Sequence, residues 1–423
     1  MALHSLRGFR DILPPDSARF TAIEAAAREV FALYGYQELR IPTIELKELF
    51  VKSTGETTDI VEKEMYAFTD GGGREVAVRP EGTPGVVRAY IEQNISQSGR
   101  NAKFYYIGNM FRAERPQAGR FREFEQIGAE HIGNASPLAD AESITMLVRL
   151  LERAGLTGCS VDLNSLGCGE CRKNYRQTLL AYLRGCSERL CEPCRGRIER
   201  NPLRALDCKI DGPWLADSAP RLSLCPDCAG HFTRVQELLK ISGVPHNVNP
   251  GLVRGLDYYT RTVFEVRSSA LGSQDAVCGG GRYDDLVKSM GGPAAPAIGW
   301  AMGVDRLAML LKDQPAPDTS TKAFVVAAGK ETGSKAYALL SALRAAGISA
   351  DFSNFDLSLR SQMRSADKSG AFYALILGED EMRDGTCAVK PLKEAGEQTL
   401  VPFDSVPSTL KQLLKGGEGA VNV

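Results

Sequence analysis

The chain has 423 residues, with 51 Lys and Arg against 52 Asp and Glu and a formal net charge of -1. It is too long for one core of ordinary size, and the near-neutral total neither supports nor excludes nucleic-acid binding, which local basic surfaces would have to carry. The 43% hydrophobic and 24% charged residues mark a globular chain rather than a disordered or fibrous one.

No run approaches the ~20 apolar residues of a membrane span, and MALHSLRGFRDILPP lacks an apolar signal core; a cytoplasmic protein without a membrane partner is expected. Residues 17–34 place Ala18, Ile23, Ala26, Val30, Phe31 and Leu33 on one broad stripe and read as a helix, closed by Gly35. QELRIPTIEL reads as a strand, as do 74–79 and 103–107. The spacing predicts a helix over 84–95, with Thr83 as its N-cap and Pro84 at its first position. A helix at 138–154 and a strand at 159–164 follow. From about 166 to 245 the character changes: eight of the eleven cysteines sit among arginines and short helical runs, the mark of an inserted helical subdomain. Strand-rich sequence returns at 261–267 and at the glycines 279–281, and an apolar helix is expected at 301–312. DQPAPDTST, 313–321, is a linker by composition. Beyond it strands at 322–328, 348–352, 372–377 and 387–390 alternate with helices at 334–346, 358–368 and 405–414, the pattern of a small α/β domain of about 100 residues. The GGEGAVNV tail is expected to fray. The expected division is 1–320 and 321–423.

Three clusters carry more chemistry than a fold needs. RPEGT, 79–83, sets Glu81 and Thr83 at a strand-to-helix corner, where a carboxylate can hold an ammonium; a simple helix cap is the competing reading. GNMFRAERPQAGRFREFEQIGAE, 108–130, reads as two antiparallel strands around an arginine-rich loop. Period-two spacing puts Gln126, Gly128 and Glu130 on one face, with Arg112 placed to meet a phosphoryl group. AIGWAMGVDRLAMLL, 297–311, leads a glycine-spaced strand into a helix carrying Arg306. Neither a GxxxxGK[ST] loop nor a GxGxxG turn is present, so a nucleotide would be held another way. The densest run is VRGLDYYTRTVFE, 253–265, where Arg254, Asp257, Tyr258, Tyr259, Arg261 and Glu265 crowd around one glycine. Arginine forks suit carboxylates and phosphates, and tyrosine hydroxyls suit amines.

FRAERP…GRFREFEQ followed by GWAMGVDRL resembles the second and third signature motifs of the class II aminoacyl-tRNA synthetases. RGLDYYTRTVFE and GGGRYDDL resemble the two peptides specific to the histidyl-tRNA synthetase family, as do RGFRDILP and RPEGT; the likeness spans roughly residues 1–415. It implies an α+β catalytic domain on a mixed, mainly antiparallel six-stranded sheet, a short helical insertion, and a small α/β C-terminal domain that reads the anticodon. It implies a homodimer with LRIPTIEL at the interface, and ATP-dependent attachment of L-histidine to histidine tRNA through histidyl-adenylate, with Mg2+ accompanying ATP. Carried over motif by motif, Glu81, Gly82, Thr83, Gln126 and Glu130 bind the amino acid. Tyr258 and Tyr259 line its pocket, and Arg254 works at its carboxylate and the α-phosphate. Arg112 contacts the α-phosphate, Arg306 the terminal phosphates, and Arg120 and Arg122 belong with the nucleotide. The loop Arg115–Arg122 also meets the tRNA acceptor end. In the C-terminal domain Arg344, Arg360, Arg364 and Lys368 are candidate phosphate contacts or a solvated helix face, while Phe352, Phe355 and Phe372 are expected in the core.

Cys168/Cys171, Cys191/Cys194 and Cys225/Cys228 form three CxxC pairs, with Cys208 nearby. Two pairs suffice for one structural Zn2+. Cys168, Cys171, Cys191 and Cys194 are the first candidates, and Cys208, Cys225 and Cys228 the alternatives; reduced thiols without metal are the other reading. Two rival functions stand beside the synthetase. One is a catalytically inactive, synthetase-like regulatory or tRNA-sensing protein, against which the intact Arg112, Arg254, Arg306 and both tyrosines speak. The other is another class II specificity, against which RGLDYYT speaks.

Overall fold

The structure, a computed structural model, describes residues 3–55, 58–98, 101–117, 119–268, 276–315, 317–329, 331–394 and 396–418. The chain forms two compact units, 1–317 and 318–423. Among the described residues no helix is long and apolar enough to cross a membrane.

The strands in chain order are β1 (Gln37–Glu38), β2 (Ile44–Leu46), β3 (Ala67–Thr69), β4 (Glu75–Val78), β5 (Ala102–Phe111), β6 (Glu123–Ile132), β7 (Ser160–Ser165), β8 (His246–Val248), β9 (Thr260–Arg267), β10 (Ala276–Arg282) and β11 (Ala297–Gly303) in the first unit, and β12 (Ala323–Ala327), β13 (Ala350–Phe352), β14 (Tyr373–Leu377), β15 (Thr386–Pro391) and β16 (Thr399–Pro402) in the second. The main sheet of the first unit runs β1-β5-β6-β11-β10-β9-β7-β8. Its six central strands pair antiparallel, and the short edges β1 and β8 pair parallel. This is the mixed, mainly antiparallel sheet that the motifs implied, with eight strands where six were expected: the two short parallel edge strands extend an antiparallel six.

The helix Asp16–Leu33 forms because Phe20, Ile23, Ala27, Val30 and Phe31 share one face, all buried. That face meets Tyr105, Ile127, Ala129 and Trp300 of the sheet and Leu147 and Leu151 of the helix Pro137–Arg153. Phe31 stacks on Tyr105 with ring centroids 4.3 Å apart. Burying side chains of this size contributes roughly 1.5–3 kcal/mol each, so one side of the main sheet is sealed by core. Along β6 the alternation puts Ile127 and Ala129 into that core and leaves Gln126 and Glu130 for the other face.

Several elements differ from the sequence reading. QELRIPTIEL is not one strand. β1 belongs to the main sheet, and β2 pairs with β4 in a separate three-stranded sheet; Pro42 between them lacks the N–H a ladder needs. The apolar segment from 301 begins as strand, because β11 pairs on both sides as far as Gly303 and Met302, and the helix spans only Val304–Leu310. Thr83 does not cap its helix: Thr83–Glu92 has Gly82 at its N-cap and no side-chain cap bond. Within the cysteine-rich insertion, the helix Pro226–Ile241 packs Val235, Leu238 and Leu239 into the main core. A small separate core is left around Leu179, Leu183, Leu190, Ile198, Ala205 and Leu215.

In the second unit the sheet order is β13-β12-β14-β15-β16, parallel for its first three strands and antiparallel thereafter. The helices Thr332–Ala345 and Val406–Glu418 bury Leu339, Leu340, Leu343, Val406 and Leu410 against it. The last helix therefore runs into the first residues of the expected tail, whose remainder lies outside the described residues. β16 and the short helix Glu379–Arg383 carry no strong pattern and were not expected. Phe355 packs on this core, but Phe352 is 40% exposed. Phe372 lies under two ammonium groups, Lys322 at 4.2 Å and Lys393 at 3.8 Å from its ring centroid. Arg344 donates twice to the Ala350 carbonyl, tying helix to strand, whereas Arg360, Arg364 and Lys368 are exposed on the helix Leu359–Ser369.

Candidate active site

The open face of the main sheet carries a cavity of about 450 Å³, lined by Glu81, Thr83, Arg112, Arg120, Gln126, Arg254, Tyr258, Tyr259 and Arg306 among the residues singled out by sequence. Glu130 lies just behind that lining, 1% exposed. Gly82 sits where a Cβ would come within 2.2 Å of the Tyr106 ring; Tyr106 can then donate to Gln126 Oε1 at 3.0 Å and fix that amide at the cavity. Arg122 points elsewhere. Its guanidinium donates to the carbonyls of Glu114 and Arg7, and its N–H to Gly8, so it ties the RGFR segment to the arginine-rich loop. Arg10 of that segment pairs with Asp305 at 2.8 Å, and Asp305 also accepts the Glu125 N–H at 2.9 Å. The N-terminal motif thus braces the end of β6 against the helix that carries Arg306.

One wall is acidic and aromatic. Glu81 accepts from Thr54 Oγ1 at 3.0 Å and from the Tyr258 hydroxyl at 3.2 Å. Glu130 accepts from Thr83 Oγ1 at 2.6 Å and from the Tyr283 hydroxyl. This is why Thr83 leaves its helix uncapped: the carboxylate takes its hydroxyl. Burial pushes the Glu130 carboxyl up to about 8, against the lowering effect of its two hydroxyl donors. Burial likewise raises Glu81, although Arg112 and its donors pull it down. Two carboxyls kept from water make a receptor for a cation. Tyr258 packs on Tyr259 at 4.7 Å and edge-on to Tyr283 at 5.7 Å between centroids, which gives the wall flat apolar surface suited to a planar ring.

The opposite side is cationic. Arg112 donates to the Pro80 carbonyl at 3.0 Å and lies 5.3 Å over the Phe124 ring. Arg306 donates to the Ala276 carbonyl at 2.5 Å, and burial with Arg120 close by lowers it below the ordinary arginine value. Arginines held near each other in a partly dry cleft gain from a polyanion. Arg254 pairs with Glu265. Burial opposes its charge, but Tyr259, Glu265 and Asp207 more than offset that. Its guanidinium lies against Gly279, where a Cβ would come 2.6 Å from the nearer Nη. The run of glycines in β10 therefore makes room for the arginine that the RGLDYY run supplies.

Glu265, already singled out in the 253–265 run, also lines the cavity, and sequence reasoning missed Tyr283, Arg204 and Asp207, which line it too. Tyr283 stands inside the quoted GGGRYDDL, one residue past the end of β10. Arg204 and Asp207 come from the insertion. Arg204 donates to the Gly255 carbonyl at 2.6 Å, and nothing local in NPLRALD announces it. The cysteines form two clusters rather than one. Cys168 and Cys171 meet Cys225 and Cys228, and Cys191 and Cys194 meet Cys208 and Asp211.

Comparison with known proteins agrees with this geometry. The family model described as "Histidyl-tRNA synthetase" matches residues 8–170 and 199–307, and the one described as "Anticodon binding domain" matches 322–413. A relative from Elusimicrobium minutum (strain Pei191), described as "Histidine--tRNA ligase", is 52% identical over 95% of this chain and 97% of its own. The apo crystal structure of the S. aureus histidyl-tRNA synthetase superposes with a TM-score of 0.83 at 32% identity, over 97% of this chain and 100% of that one. A Bacillus halodurans structure described as an ATP phosphoribosyltransferase regulatory subunit/histidyl-tRNA synthetase shares the fold alone, with a TM-score of 0.66 at 21% identity over 89% of this chain and 99% of that one. With a matching family model over most of its first unit and a relative of this identity over nearly its whole length, the chain belongs to the histidyl-tRNA synthetase family.

Proposed function

We infer that this chain is an active histidine–tRNA ligase: it uses ATP to activate L-histidine and transfers the histidyl group to histidine tRNA. The observation that carries the reading is that one cavity offers both a buried acidic, aromatic wall and an arginine-lined side. In the first step a histidine carboxylate oxygen attacks the α-phosphorus of ATP. The bond to the bridging oxygen breaks, pyrophosphate leaves, and histidyl-adenylate remains. In the second, the hydroxyl of the tRNA's terminal ribose attacks the histidyl carbonyl and AMP leaves.

Glu81, Thr83, Gln126 and Glu130 take the α-ammonium and the polar ring atoms, and Tyr258 and Tyr259 frame the imidazole. Arg112 meets the α-phosphate, and Arg306 with Arg120 the terminal phosphates. Arg254 stands between carboxylate and α-phosphate, where two anions must be brought together; a fixed guanidinium offsets that repulsion and stabilises charge growing on the phosphoryl oxygens. Mg2+ accompanying ATP would neutralise part of the phosphate charge. The cysteines of the insertion would hold structural Zn2+.

The second unit takes the anticodon end of the tRNA, with Arg360, Arg364 and Lys368 as exposed cations on one helix. The active form is a homodimer. Supporting this, Ile44, Leu46 and Phe68 of the small sheet are 52%, 52% and 46% exposed, an apolar patch that a second copy would cover. The enzyme works in the cytoplasm, where the tRNA is. Incubation with total tRNA, ATP and labelled histidine tests the function: acid-stable label on histidine tRNA alone is expected, and label on no tRNA would end the reading.

A further inference from the structure

The four sulfurs of Cys168, Cys171, Cys225 and Cys228 all lie within 4.8 Å of one another, and so do the sulfurs of Cys191, Cys194 and Cys208 with a carboxylate oxygen of Asp211. The Sγ–Sγ distance is 3.7 Å for Cys168–Cys171 and 3.7 Å for Cys191–Cys208. All eleven cysteines are free thiols. Sulfurs bound tetrahedrally at ~2.3 Å from a zinc ion stand ~3.8 Å apart. The thiolates of a cubane iron–sulfur cluster would stand farther apart than these clusters allow. In the first cluster the CxxC pairs open the helices Gly169–Gly185 and Pro226–Ile241. In the second, Asp211 also accepts the Cys191 N–H at 3.1 Å and the Trp214 indole N–H at 3.4 Å, which orients its carboxylate.

We propose that the insertion holds two zinc ions, one bound by four thiolates and one by three thiolates and a carboxylate, and that the second positions the arm that grips the RGLDYY run. The separate core of the insertion is small, and a core of that size is commonly stapled by metal or disulfide. The arm is the segment between Cys194 and Cys208. Within it Asn201 donates to Asp257 at 3.0 Å, Arg204 donates to the Gly255 carbonyl at 2.6 Å, and Asp207 lines the cavity. The all-thiolate site holds the start of the helix from which Arg172 donates to the Tyr259 carbonyl at 2.7 Å. The stretches matched by the synthetase family model leave out residues 171–198, with Cys171, Cys191 and Cys194 among them.

The metal claim is independent of the reaction, and only the positioning claim rests on the function proposed above. Elemental analysis of the full chain, purified without chelator and under reducing conditions, is expected to give about two zinc per chain, each tetrahedral with four ligands. A wild-type value of one or fewer overturns the proposal whatever the variants do. The pair Cys168→Ser/Cys171→Ser and the pair Cys191→Ser/Cys194→Ser are each expected to leave one zinc. A folded pair that keeps two overturns the assignment of ligands. Cobalt substitution of the remaining site in each pair is expected to give distinct tetrahedral spectra, all-thiolate in one and mixed thiolate–carboxylate in the other, and identical spectra count against it. For positioning, Asp211→Asn is expected to raise KM for histidine about tenfold, the worth of one hydrogen bond of ~1.4 kcal/mol, and to leave KM for ATP nearly unchanged. Equal changes in both, or none, remove the positioning role and leave the metal count standing.

Discussion

Glu130→Gln separates what the site costs the fold from what it does for the ligand. Glu130 is 1% exposed, and burial raises its carboxyl from 4.5 to about 8. Between those values the folded chain holds a proton that the unfolded chain releases, so stability falls as pH rises through that window. At pH 7 the accumulated cost is about 3 kcal/mol, at about 1.36 kcal/mol per pH unit from 4.5. Glutamine removes that cost. It keeps one acceptor oxygen for the two hydroxyls of Thr83 and Tyr283, and turning one hydroxyl round to accept costs about 1 kcal/mol. The ligand-free variant is therefore expected to be slightly less stable than wild type at pH 5 and about 2 kcal/mol more stable at pH 7. Histidine should bind it about 10- to 100-fold more weakly, the worth of a charge-assisted hydrogen bond. Thermal melts of both proteins from pH 5 to 8 read the first effect, and the histidine dependence of pyrophosphate exchange reads the second. A difference in melting temperature that stays constant across the window would refute the assignment of Glu130 as a buried carboxyl that yields its proton to a bound cation.

Other perturbations separate the parts of the site. Arg254→Ala is expected to leave histidine binding largely intact and to slow adenylate formation about 100- to 1000-fold; exchange within about threefold of wild type at saturating substrate would remove Arg254 from the reaction. Gly279→Ala brings a Cβ to 2.6 Å from the same guanidinium, so it should lower kcat with little change in melting temperature, and an unchanged kcat would show that the arginine need not lie against β10 during the reaction. Phe68→Glu, on the exposed face of the small sheet, is expected to convert a dimer of the full chain into monomers in a sedimentation experiment, and a wild-type chain that sediments as a monomer would contradict the proposed assembly.

The motifs were legible because they combine costly residue types at fixed spacing. The period of two in EFEQIGAE puts Gln126 and Glu130 on one face, and β6 carries them so. Arg254 and Gly279 are both visible as residues, but the contact of this loop arginine with β10 is not, since sequence does not tell which distant side chain a glycine lets in. Thr83 was misread as a cap because local sequence shows the orphan amides of a helix start but not a buried carboxylate 47 positions away. The two cysteine clusters show the same limit. CxxC spacing fixes each pair, and only the path of the insertion decides which pairs meet. The split of QELRIPTIEL was the nearest miss, since Pro42 stood in plain view.

The most direct test of the central claim is ATP–pyrophosphate exchange with each of the twenty amino acids in turn. Exchange with L-histidine is expected, and its loss in Arg254→Ala. Exchange driven by another amino acid, or by none, would contradict it.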